Sequence, residues 1–200
     1  MNYKDYTYEH TNCGMTPIQY EHLIDLLKNF KPKRICELGS GESTKIFEKY
    51  ISTNNDTTLV SIEHDNKYKR KNTIILPLID TATFAIINGK FYSTCNKYYG
   101  LEDWLKTQDK FDFILIDGPF GYGKRTEYTY SRIQILSFVL FDKISDDAHI
   151  LYHDSERSNA ITTLNEFERL LNEKNISFEK TELGKIPKLT LYHIKKNIYK

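Results

Sequence analysis

Cysteine is scarce in this sequence. Cys13, Cys36 and Cys95 are odd in number and form no CxxC pair. That pattern argues against a disulfide framework and a cysteine-rich zinc site, and makes reduced thiols in the cytoplasm the expectation. Long apolar runs are also missing. No stretch approaches the roughly 18 residues of a membrane helix, and the opening MNYKDYTYEHTN lacks the apolar centre of a signal peptide. Neither sign of charge dominates: 28 Lys and Arg stand against 27 Asp and Glu. A dedicated nucleic-acid binder carries a basic surplus, so neither a nucleic-acid nor a membrane partner is expected. Arginine is rare, 6 residues against 22 lysines. Lysine runs therefore read as compositional bias, while each arginine is worth locating. Apolar residues (40%) and aromatics (14%) are too plentiful for a disordered chain.

The pattern along the chain alternates between strand and helix. Residues 1–15 form a polar, Tyr-rich lead-in, expected as a lid, and residues 16–200 form one domain. Thr16-Pro17 opens a helix, with Thr as N-cap and Pro in the first turn, and Ile18, Leu23, Leu27 and Phe30 as its apolar face. Strands are predicted at 34–38, 57–62, 73–79, 111–116 and 149–152. Pro77 puts the third near an edge. Helices are predicted at 42–51, 101–108, 128–144 and 158–172, the last with Ile161, Leu164, Phe167 and Leu171 inward. Residues 80–100 give no clear pattern. Strands at 176–182 and 188–194 have no helix between them and should pair as an antiparallel hairpin. Alternation of this kind predicts an α/β fold, a mostly parallel sheet with helices on both faces.

The first strand runs into a glycine turn, Arg34-Ile-Cys-Glu-Leu-Gly-Ser-Gly-Glu-Ser-Thr44. Gly39 permits a sharp turn, Gly41 lets a ligand approach the backbone, and the helix start offers free N–H groups. The third position of a dinucleotide fingerprint is Thr44 here, not Gly. Glu37 precedes the turn and would suit a cationic ligand. Glu63, 22 residues after Gly41, ends the second strand, where an acidic side chain commonly takes ribose hydroxyls. A ligand with a ribose, a carboxylate and a positive charge satisfies this set, and S-adenosylmethionine has all three.

ICELGSGES, SIEHD and FDFILIDGP together resemble the glycine motif, the acidic second-strand end and the fourth strand of class I S-adenosylmethionine-dependent methyltransferases. Residues 16–195 carry the resemblance, with Ser43 where the family often has a third glycine. It implies a single-domain Rossmann-like fold with a seven-stranded sheet and a C-terminal antiparallel hairpin. The implied cofactor site is Glu37, Gly39, Ser40, Gly41, Ser43, Glu63 and His64, with Glu63 and His64 at the ribose.

Two strand ends carry dense chemistry, Asp117-Gly-Pro and His153-Asp154-Ser-Glu-Arg157. His153 is a candidate general base, with Asp154 or Asp117 orienting it or facing the acceptor. A second reading uses metal. Asp117 and Asp154 resemble the pair that holds a divalent cation in catechol-type O-methyltransferases, although Ser155 stands where an Asn is usual. Three of the six arginines, Arg125, Arg132 and Arg157, follow these strand ends and are candidates for binding an anionic or sugar-like acceptor. IDGP and HDSER also resemble small methyltransferases of glycans and secondary metabolites. The expected activity is O-methylation of a small-molecule or carbohydrate-linked hydroxyl. The alternatives are an RNA or protein methyltransferase and a non-catalytic S-adenosylmethionine-binding protein.

Overall fold

A computed structural model of the chain describes residues 14–79, 84–93, 96–119 and 130–196. Helix α1 (Pro17–Phe30) leads into strand β1 (Arg34–Leu38), helix α2 (Glu42–Ser52), strand β2 (Thr58–Glu63) and strand β3 (Thr73–Ile75). Short strands β4 (Leu78–Ile79), β5 (Phe84–Ile87), β6 (Lys90–Ser93) and β7 (Lys97–Tyr98) precede helix α3 (Leu101–Lys106) and strand β8 (Phe111–Ile116). Helix α4 (Ile135–Leu140), strand β9 (Ile144–His153), helix α5 (Ser158–Glu173), strand β10 (Ser177–Leu183) and strand β11 (Leu189–Lys195) follow.

Seven strands form one sheet in the order β10-β11-β9-β8-β1-β2-β3. The five from β9 to β3 run parallel, while β11 pairs antiparallel with both β9 and β10. The terminal hairpin and parallel sheet are as the sequence predicts. Alternation along the strands divides the core. Ile35, Phe113, Leu151 and Leu191 pack with α1 and α2 on one face, while Cys36, Ile114, Tyr152 and Tyr192 pack with α3, α4 and α5 on the other.

Several boundaries differ from expectation. The predicted strand over 73–79 breaks at Pro77, which cannot donate to a ladder. β3 stays at the sheet edge, and β4 turns away to pair with β7. The predicted helix over 128–144 shrinks to α4. Arg132 has φ +49 and sits outside helical backbone, and Asp142 (φ +52) closes the segment at its other end. β9 consequently begins at Ile144 rather than 149. Ile18 and Ile161, expected inside, are 56% and 47% exposed. The buried stripe of α1 instead runs through Gln19, Tyr20, Leu23, Ile24 and Leu27. Thr16 does cap that helix, and its N–H is taken by the Gln19 side chain at 2.7 Å.

Candidate active site

The sheet order reverses between β1 and β8, and open α/β sheets bind ligands outside the strand C-termini at such a point. A cleft of about 550 Å³ opens there. It is floored by the turns after β1, β2, β8 and β9. Two glycines permit this floor. A Cβ on Gly39 (φ +96) would lie 2.7 Å from the Gly118 amide nitrogen and 2.9 Å from the Asp117 carbonyl carbon, and one on Gly118 would meet Gly39 in turn. Gly41 is different. Its φ is 180°, ordinary extended backbone, but a Cβ there would meet nothing within 4 Å. Its side of the turn is an open cradle on the cleft.

Glu37 is placed beneath this floor and does not line the cleft. Its carboxyl is fully buried and accepts hydrogen bonds from Ser43 Oγ (2.5 Å), Thr44 Oγ1 (2.7 Å) and Ser61 Oγ (2.6 Å). Burial pushes it up to about 7 against the lowering effect of the hydroxyls. The expectation that Glu37 faces a cationic ligand is therefore corrected: its hydrogen bonds tie the start of α2 to β1 and β2. Ser43 also lines the cleft, as do Ser40 and His64.

Glu63 is 4% exposed and lines the cleft wall. Oε2 accepts the Ser40 N–H at 3.0 Å, and Oε1 accepts the N–H groups of His64 (2.7 Å) and Asp65 (3.0 Å). These backbone bonds fix the carboxylate and leave it acceptor capacity on the cleft side. Tyr98 also lines the cleft, its ring 6.4 Å from that of His64; it is fully buried, and its hydroxyl finds no hydrogen-bond partner among the described residues. Burial raises that phenol well above its ordinary range, so it remains a donor.

At the other end of the cleft Asp117, Arg132, His153, Asp154 and Arg157 form one network. His153 Nδ1 lies 2.7 Å from Asp117 Oδ1. Burial tends to raise the Asp117 carboxyl, but His153 and then Arg132 outweigh it and hold it below the usual carboxylate range. An ionised carboxylate only accepts, so Nδ1 carries the proton. Nε2 at the far side of the ring is buried without a partner among the described residues. Arg132 is 6% exposed. Its Nη2 lies 3.2 Å from both Asp117 Oδ1 and Asp154 Oδ2, and Nη1 donates to the His153 carbonyl. Arg157 Nη1 reaches Asp154 Oδ2 at 3.0 Å.

This network bears on the metal alternative. Ligand atoms of Asp117, His153 and Asp154 lie within 4.8 Å of one another. The two carboxylates, however, already share one buried guanidinium and meet a second. A dication bridging them would add an uncompensated double charge to a balanced group. The donor set does not fit a metal while Arg132 is in place. Arg132 lines the cleft as expected, with Nη1 and Nη2 held by protein partners and Nε buried without one among the described residues. Arg157 lines the cleft and Arg125 lies outside the described residues, as does most of the expected lid, of which Gly14 lines the cleft and Met15 is buried.

Several lining residues escaped sequence reasoning, Tyr20, Tyr68 and Arg70 among them. Tyr68 and Arg70 sit in the lysine-rich stretch after β2, and Arg70 Nε donates to the Gly41 carbonyl at 3.2 Å. Tyr20 projects from α1. No motif marks them. Arg70 had one available signal, the scarcity of arginine.

No family model and no curated protein matches the chain. Solved structures match nearly all of it. The methyltransferase PaMTH1 of Podospora anserina, bound to S-adenosylhomocysteine, is 15% identical, with 93% of this chain and 81% of that one covered and a TM-score of 0.55. An O-methyltransferase of Bacillus cereus, also with S-adenosylhomocysteine, is 12% identical over 92% and 84%, with a TM-score of 0.57. TomG of Streptomyces achromogenes, an O-methyltransferase of tomaymycin synthesis in complex with S-adenosylmethionine, is 11% identical over 92% and 82%, TM-score 0.57. The chain has the Rossmann-like fold that these proteins share.

Proposed function

We propose that this chain is an S-adenosylmethionine-dependent methyltransferase acting on a hydroxyl of a small molecule, with sugar-linked hydroxyls included. One observation carries the reading. His153, whose Nδ1 lies 2.7 Å from Asp117, lines the same cleft as a backbone-fixed carboxylate at the end of β2. Glu63, Tyr98, the Gly41 cradle and the start of α2 offer polar groups and space for a nucleoside with a charged tail. The cofactor supplies an electrophilic methyl group on a sulfonium.

The chain's own residues do the rest. Glu63 accepts from ribose hydroxyls. Tyr98 donates its orphan hydroxyl to the ligand. His153 Nε2 takes the acceptor's proton, and Asp117 holds the ring in the tautomer that leaves Nε2 open. Arg157 and the Asp154 carboxylate frame the acceptor side. Solved neighbours that are O-methyltransferases and the absence of a basic surplus support a small acceptor over RNA. The cysteine pattern supports a cytoplasmic location, and no described helix is long and apolar enough to cross a membrane.

The test is production of S-adenosylhomocysteine from S-adenosylmethionine across a panel of phenols, sugars and sugar acids. A productive acceptor should lose about 10²-fold or more in kcat with His153→Ala, following the usual contribution of general-base catalysis. Cofactor binding with no product from any acceptor would favour the non-catalytic alternative.

A further inference from the structure

The charge arrangement between β8 and β9 differs from what two converging carboxylates usually signify. Asp117 and Asp154 converge beside His153, an oxygen-rich set with one imidazole that suits Mg²⁺ or Mn²⁺ in kind. One nitrogen of Arg132 instead lies at equal distance, 3.2 Å, from an oxygen of each. Its neighbour Nη1 is held by the His153 carbonyl, so the guanidinium is fixed in three places. The head group packs over the Tyr152 ring, 5.9 Å from its centroid. Both Arg132 (φ +49) and Asp154 (φ +57) adopt left-handed backbone that non-glycine residues rarely hold. Such positions persist where surrounding structure over-determines them, and here they aim the two charged groups at each other.

We propose that Arg132 is the resident cation of this centre, a guanidinium bridging Asp117 and Asp154 in the position a divalent ion would otherwise take. The centre then works without metal. Its carboxylates are neutralised by Arg132 and Arg157, and Asp117 stays ionised to orient His153. Taking away the guanidinium uncovers Asp117, His153 and Asp154 as a divalent-cation site. Only the link to His153 rests on the methyltransferase reading. The metal-binding consequence stands apart from it.

Mn²⁺ titration, with free Mn²⁺ followed by electron paramagnetic resonance, tests this on the full chain. Wild type and Arg132→Lys, which keeps the charge, should show no saturable site. Arg132→Met should bind one Mn²⁺ at least about tenfold tighter than wild type, a gain of roughly 1.4 kcal/mol. Adding Asp117→Asn to Arg132→Met should remove that gain. Tight one-to-one Mn²⁺ binding by wild type, lost in Asp117→Asn, would overturn the proposal. So would a folded Arg132→Met that binds no better than wild type. The wild-type titration decides by itself should Arg132→Met fail to fold. Absence of methyl transfer from every acceptor would count against the function proposed above and leave these binding results untouched.

Discussion

Tyr98 separates a structural role from a ligand-binding one. Its buried hydroxyl lacks a partner among the described residues, and an unmade buried hydrogen bond costs about 1–3 kcal/mol. Tyr98→Phe should therefore leave the free protein as stable as wild type or more so, while S-adenosylmethionine affinity falls several-fold. Chemical denaturation and calorimetry read the two effects separately. Glu37 yields a pH dependence. The unfolded carboxyl titrates near the ordinary 4.5 and the folded one near 7. The folded state holds the extra proton between these values, so stability should fall as pH rises from 4.5 through 7 and then level off. The loss attributable to this group is roughly 3 kcal/mol. Glu37→Gln should flatten the profile in urea melts taken from pH 5 to 8. Sequence made Glu37 visible but assigned it to the ligand, because its three hydroxyl partners come from α2 and β2.

At the scale of elements, Gln134 joins two parts of the cleft wall. Fully buried before α4, it accepts the Tyr98 N–H at 2.5 Å and donates to the Tyr98 carbonyl at 3.0 Å and to Glu102 at 2.9 Å. The side-chain amide thus completes the backbone pairing of β7. Gln134→Ala leaves both backbone groups unpaired and should cost about 2–4 kcal/mol in a denaturation experiment. The strands of the main sheet were legible because two buried faces impose apolar runs, as in Phe111–Ile116. The terminal hairpin was legible because no helix fits between its strands. The β5–β6 hairpin was also signalled, by Asn88-Gly89, whose positive φ values (+48 and +78) suit a two-residue turn. Weak alternation in the flanking sequence masks that dipeptide. The shortened α4 was not legible, since what displaces helix around Arg132 is a contact with carboxylates 15 and 22 residues away. The Asp and His at the mouth were readable as strand-end chemistry; which of them touch was not.

For the molecule as a whole, a net charge of +1 conceals an internal balance. Two arginines meet two aspartates in the cleft, which leaves little field to attract a polyanion. RNA should show no salt-steep binding in a mobility-shift series, whereas phosphate-driven association would weaken sharply with added salt. The fold's switch point, the Gly39–Gly118 contact and the Glu63 carboxylate converge on one cleft, and its occupant is the central issue. Calorimetric titration of the whole chain with S-adenosylmethionine and S-adenosylhomocysteine addresses it directly. Both should bind at one site with micromolar affinity, and Glu63→Ala should weaken both by about tenfold or more, the loss of a hydrogen bond to a charged group. No binding at millimolar ligand, or binding indifferent to Glu63→Ala, would contradict the assignment.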